Sequence, residues 1–170
     1  MTMQNQTSAR AGGGMISKGA TDAIAILTND HAEVAELFEE YEALVEGEGD
    51  EGEKQALAER ICALLTAHAT IEEEIFYPAA SEAGIEGNLL DEAEVEHAAA
   101  KDLIAQIRAM SPDDELYDAK VKVLGEYIAH HVDEEEGEIF PRCREAKMDL
   151  AGLGVTLAER KSELLAEAPA

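Results

Sequence analysis

"HATIEEEIFYP", from His68 to Pro78, and "HHVDEEEGEIFP", from His130 to Pro141, are two versions of one phrase. Aligned on the prolines, His68 falls on His131, Glu72 on Glu135, Glu73 on Glu136 and Tyr77 on Phe140, 63 residues apart. The shared pattern is H-x3-E-E-x3-[FY]-P. Residues four apart on a helix share a face, one turn from each other. His68 with Glu72, and His131 with Glu135, therefore read as two matched helical pairs.

The repeat has a second layer. His31 ends "NDH" and His97 ends "VEH", 37 residues before His68 and 34 before His131 respectively. Each half is then a helical hairpin with one histidine on its first helix and H-x3-E on its second. Packing the hairpins about a pseudo-twofold axis gathers four imidazoles and two carboxylates inside a bundle.

The rest of the chain fits that plan. Thr21–Asp22 is a helix start, and Ile24, Leu27, Val34, Leu37, Phe38, Tyr41 and Leu44 recur at steps of three and four. The acidic, glycine-rich run at 46–53 breaks this helix; it lacks calcium-loop spacing and reads as a solvated connection. A second helix carries Leu57, Ile61, Leu64, Leu65 and His68 toward Pro78, and "SEAGIEG" ends it. Asn88 is placed to cap a third helix, and "SPDDE" at 111–115 supplies a serine cap, a proline and first-turn acids for a fourth. "DLAGLGVTLAERKSELLAE" predicts a shorter helix outside the bundle.

The predicted fold class is all-α, an antiparallel up-down-up-down four-helix bundle with a short additional C-terminal helix. Residues 1–20 are expected to form a flexible N-terminal segment, 21–146 the bundle, and 147–170 the C-terminal helix and tail. Composition agrees: 46% of the 170 residues are hydrophobic, with Ala, Leu and Glu dominant, and aromatics are only 4%, which favours helix over strand.

A net charge of −25 excludes nucleic acid and anionic membranes as partners, because phosphates are repelled. No apolar run approaches the roughly 20 residues that span a bilayer, and the N-terminus has no signal-peptide core. Cys62 and Cys143 are too few for a disulfide framework and read as reduced thiols of a cytoplasmic protein. The sequence carries no signal for an oligomeric state.

A buried imidazole or carboxylate is costly unless it is paired or bound to metal. One histidine on an apolar face is commonly a satisfied core residue, but four at matching places in two half-repeats ask for more. Imidazole and carboxylate without thiolate suit iron or manganese, and carboxylates from opposing helices can bridge two metals.

With "DH", "HATIEEEIFYP", "EVEH", "HHVDEEEGEIFP" and "LGVTLAERKSEL" in that order over about residues 22–166, the chain resembles the hemerythrin-like, HHE cation-binding family. The resemblance implies a four-helix bundle holding two non-heme iron ions. One would take His31 and His68, the other His97 and His131; Glu72 and Glu135 would bridge them, with an oxo or hydroxo group completing the link. It further implies binding of a small diatomic ligand (dioxygen or nitric oxide) or of peroxide, for sensing, storage or stress protection. A peroxide-consuming or oxidase-type di-iron enzyme, and an iron reservoir for iron–sulfur repair, are the alternatives. Oxygen-carrying members show H-x3-H on the third helix, whereas Lys101 follows His97 here, which leaves one iron short of an imidazole and argues against reversible carriage. Water, a further carboxylate or Tyr127 are the candidates for that position.

Adjacent helical residues point about 100° apart, so His130 and His131 cannot both face one centre. The proline register selects His131 and leaves His130 beside the ligands or at the surface. Tyr127, one turn before His131, is expected in the core or beside the ligands, and Glu73, Glu74, Glu134 and Glu136 on a solvated face.

Overall fold

A computed structural model describes residues 21–168, and the expected flexible segment 1–20 lies outside them. Among the described residues there is no strand. Asp22 caps α1 (Ala23–Glu46) by accepting from the Ala25 N–H at 2.8 Å. A turn at Gly47 and Glu48 follows. Asp50 caps α2 (Glu51–Ile71) through the Gly52 and Glu53 N–H groups, so this helix begins inside the acidic run.

α2 does not stop at Ile71. It passes through a single wide turn, π1 (Glu72–Phe76), into α3 (Tyr77–Glu82), the Tyr77 N–H reaching back five residues to the Glu72 carbonyl. Gly84, at φ 87°, then supplies the left-handed turn that ends the rod. α4 (Gly87–Arg108) leads to α5 (Tyr117–Glu134), which runs through the matching wide turn π2 (Glu135–Ile139) into α6 (Phe140–Glu145). α7 (Leu150–Glu167) closes the described chain.

Two helix starts differ from expectation. α4 begins at Gly87, so Asn88 sits inside its first turn and caps nothing. "SPDDE" folds as a turn of its own: Asp114 Oδ2 accepts from the Ser111 N–H, and α5 begins only at Tyr117. Ser and Asp compete for local backbone bonds as readily in a turn as at a cap, so the signal located the connection and misplaced the helix.

α1, α2, α4 and α5 form a ring in which α1 touches α2 and α5, and α4 touches the same two. This is the expected four-helix bundle with an additional C-terminal helix. Its interior is divided. Ile24, Leu27, Ile71, Phe76, Ile139 and Phe140 form an apolar cluster at one end, and Val34, Leu37, Ile61, Leu65, Val121 and Leu124 one at the other. Between them lies a polar layer.

α7 lies outside the four-helix ring, as expected, and packs closely against it. Leu157 is fully buried in the first cluster, with Leu150, Leu153 and Leu164 packed against it, over α1, α2 and π1. Lys161 pairs with Asp30 and Arg160 with Glu74. Gly154 makes the close approach possible, since a Cβ there would stand 2.5 Å from the Thr21 carbonyl oxygen and 3.0 Å from the Ala23 nitrogen. Gly154→Ala gains about 1 kcal/mol of helix propensity, but backbone on backbone cannot yield cheaply, and overpacking costs roughly 1–3 kcal/mol. The expected result is a lower melting temperature together with faster proteolysis at Arg160 and Lys161. A variant melting above the wild type would show that α7 is not held this closely. No helix among the described residues is long and apolar enough to cross a membrane.

Candidate metal centre

The polar layer is built from the two half-repeats. His31 shares the buried stripe of α1 with Leu27 and Val34, and His97 shares that of α4 with Ala93, Ala100 and Ile104. His68 and His131 open the last regular turns of α2 and α5, and Glu72 and Glu135 open the π turns. All six are buried, the glutamates completely. The structure thus brings together every residue that the repeat singled out. His130, by contrast, has a side chain 67% exposed, as the proline register requires.

Each imidazole is held from behind by a carboxylate. His31 Nδ1 donates to Glu136 (2.8 Å), His68 Nδ1 to Asp30 (3.2 Å), His97 Nδ1 to Glu73 (3.0 Å) and His131 Nδ1 to Glu96 (2.7 Å). A carboxylate can only accept here, so the proton is on Nδ1 in all four rings, and every Nε2 faces inward. Such carboxylate–imidazole pairs fix ring orientation and raise the basicity of the inner nitrogen.

The inner nitrogens meet in pairs: His31 Nε2 lies 3.1 Å from His68 Nε2, and His97 Nε2 lies 3.1 Å from His131 Nε2. With both rings of a pair neutral, two bare lone pairs at that distance would repel, so each pair needs a shared proton or a cation. A cation bound by both removes the conflict, since two metal–nitrogen bonds of about 2.1 Å at a right angle hold the nitrogens roughly 3 Å apart. Glu72 spans the pairs, with Oε1 3.1 Å from His68 Nε2 and Oε2 3.1 Å from His97 Nε2. Glu135 Oε2 lies 3.3 Å from His31 Nε2 and 3.5 Å from His131 Nε2. Despite these distances, neither Glu72 Oε1 nor Glu135 Oε2 has an aligned hydrogen-bond donor. Two fully buried carboxylate oxygens without aligned donors, beside the paired imidazole nitrogens, fit a cation site.

Protons and cations compete for the same atoms. Burial opposes charge on His68, but Glu72 and the bond to Asp30 outweigh it and push the imidazole up to about 10. Burial likewise opposes charge on His131, and Glu135 pushes it up to about 9. Glu72 resists its own burial because His68 and His97 hold its carboxyl well below the usual range. The layer attracts positive charge in whatever form is available.

Three residues of this environment were given no part in the centre by the sequence reading. The Tyr77 hydroxyl donates to Glu135 Oε1 at 3.0 Å and lies 3.4 Å from both Glu72 Oε2 and His97 Nε2. Burial, and then the charges on Glu72 and Glu135, push its phenol upward, so it keeps its proton. Its counterpart Phe140 stacks on His31 instead, 5.9 Å between centroids. Asp30 and Glu96, which hold His68 and His131, are the acids directly before His31 and His97 in "NDH" and "VEH", a signal that was visible and carried no assignment.

Several expectations need correction. Tyr127 is 50% exposed and reaches neither core nor centre, because α5 turns that face outward. Glu73 and Glu136 are not merely solvated; they hold His97 and His31. Lys101 is drawn away from the centre by both oxygens of Glu73. Cys62 and Cys143 need no such correction: both are buried free thiols, pushed up to about 11 by burial.

A four-helix bundle with duplicated, carboxylate-backed histidine pairs defines a buried cation-binding domain. Residues 22–143 match the hemerythrin HHE cation binding domain, and the chain belongs to that family. The crystal structure of a hemerythrin HHE cation binding domain-containing protein from Mycobacterium kansasii superposes with a TM-score of 0.70 at 25% identity, covering 85% of this chain and 88% of that one. A DNA nickase from Nostoc sp. is 32% identical over 119 residues, which is 70% of this chain and 32% of the nickase. The chain thus spans about a third of that relative's length.

Proposed function

We propose that the protein is a non-heme di-iron protein of the cytoplasm that binds dioxygen, nitric oxide or peroxide in sensing, storage or protection against oxidative or nitrosative stress. One iron is held by His31 and His68, the other by His97 and His131, and Glu72 and Glu135 lie between them. The observation that carries this reading is the pair of Nε2–Nε2 approaches at 3.1 Å, with the donorless glutamate oxygens beside them. Two distinct histidine pairs call for two ions, and a donor set of imidazole and carboxylate favours iron.

When bound, iron supplies the redox change and the open coordination that a small ligand needs. The chain's own residues set the surroundings. Asp30, Glu73, Glu96 and Glu136 orient the imidazoles, and the apolar clusters at either end limit water. Tyr77 keeps a proton at its hydroxyl, bonded to Glu135 and beside His97. Phe140 has no proton to offer, so the two half-sites are chemically unequal. Cleavage of nucleic acid is not part of this proposal, because a charge of −25 repels phosphate.

Elemental analysis after anaerobic iron loading is expected to give close to two irons per chain, and a reproducible single zinc with no iron refutes the assignment. The optical spectrum of the reduced protein then separates the roles. A band that forms with dioxygen and vanishes under vacuum marks a carrier. Irreversible conversion to the diferric form is the outcome expected here, with steady peroxide turnover marking an enzyme and its absence a sensor.

A further inference from the structure

The two halves of the centre are not equally covered. In the first half, Ile71 and Ile75 lie in one apolar cluster with Leu153, Leu157 and Leu164 of α7, and Ala67 is buried. Their equivalents, 63 residues later, are His130, Glu134 and Glu138, and nothing in the described chain covers them. An apolar, capped face in one half has become an open face of imidazole and carboxylate in the other.

The carboxylates that hold His68 and His131 make the difference specific. Asp30 uses Oδ2 for His68, and its other oxygen is neutralised by the Lys161 ammonium of α7. Glu96 uses Oε2 for His131, and its other oxygen meets no lysine. It lies 3.5 Å from His130 Nε2, which is itself 3.4 Å from Glu134 Oε1. Ligand atoms of Glu96, His130 and Glu134 all fall within 4.8 Å of one another. Where the first half has a built-in cation, the second has three metal-ligating groups facing solvent.

Beneath them is a cavity of about 30 Å³, enough for one water or ion. Its lining passes from exposed Glu92 and Glu138, through Glu96 and Glu134, to buried His131 and Glu135, with no lysine or arginine. Glu135 is the fully buried carboxylate whose Oε2 has no hydrogen-bond donor. A buried carboxylate oxygen without an aligned donor therefore lies at the inner end of the passage.

We infer that Glu96, His130 and Glu134 form a third, solvent-facing divalent-cation site, through which ferrous iron reaches His131 and Glu135. The inference rests on the di-iron reading of the centre. Glu96 links the two sites, one oxygen on each. The site binds weakly enough to pass its ion inward because its ligands are half-exposed and two of its groups are single surface side chains.

The test uses the full chain as wild type, His130→Ala and Glu134→Gln, with Glu46→Gln as a control that removes one acidic charge elsewhere. Iron-loaded proteins are dialysed against zinc, and metal is counted. Apo proteins are mixed with ferrous iron and the rise of the iron spectrum is followed. The expected result is one fewer zinc per chain and several-fold slower loading in both variants, with final iron content unchanged and the control like wild type. Equal zinc uptake, equal loading rates, or an equally slow control overturns the site. A variant whose final iron content falls also overturns it, since His130 or Glu134 would then belong to the centre. Wild-type iron content is measured first: a value far from two irons removes the di-iron reading, whereas a two-iron wild type with unaffected variants removes the third site alone.

Discussion

Iron-loaded protein melts well above the metal-stripped chain. Binding to the folded state alone stabilises it by about 4 kcal/mol when free metal stands about 1,000-fold above Kd. For a chain of this size each kcal/mol moves the melting temperature by about 2–4 °C, so the shift is on the order of 10 °C. The physical source is the polar layer. Six buried ligands lie between two apolar clusters, where each large apolar side chain contributes roughly 1.5–3 kcal/mol and an uncompensated buried charge costs several. In the stripped chain, protons held by His68 and His131 offset part of that cost. Differential scanning calorimetry of matched apo and holo samples decides the matter; coincident transitions count against a buried centre.

His131→Ala strips at least one iron. The substitution removes an Nε2 that meets His97 Nε2 at 3.1 Å and leaves Glu96 Oε2 without its donor. Losing only a supporting partner typically costs about 10- to 100-fold in metal affinity, and losing the ligand costs more. α5 survives, since alanine is the strongest helix former. His130→Ala, one residue away on the exposed face, keeps its iron at equilibrium. Elemental analysis of the two variants side by side checks this. Iron lost from His130→Ala and kept by His131→Ala would shift the pair to His130 with Glu134.

Much of this architecture could be read because duplication reports on itself. A proline two residues past each wide turn fixed the register of the halves, and with it which of two neighbouring histidines faces inward. The spacing of four placed each histidine with its glutamate. Other features had no such signal. Local sequence does not distinguish Ser111 as a turn residue from Ser111 as a cap. The stripe of Leu150, Leu153, Leu157 and Leu164 says that α7 needs a partner, but only tertiary packing says which. Glu73 and Glu136 read as surface because their helical positions border the buried stripe, and the imidazole nitrogens that claim them come from other helices. Tyr77 was in the repeat, yet five residues from Glu72 is the wrong face of a regular helix. Only the wide turn brings the two together.

That wide turn also governs where the chain can drift in length. A π turn is a helix that has absorbed one extra residue, and removing that residue would swing everything after it by about 100°. Deleting Gly137 would carry Phe140 away from His31; deleting Glu74 would carry Tyr77 away from Glu135. The halves themselves bear the mark of this constraint. Their first-to-second histidine separations differ, 37 against 34, because the far ends of the two hairpins differ in both helix and connection, whereas histidine to proline is 10 residues in both. Insertions and deletions are free to accumulate at 47–50 and 111–116, and a single one between His68 and Pro78, or between His131 and Pro141, would unmake half of the site.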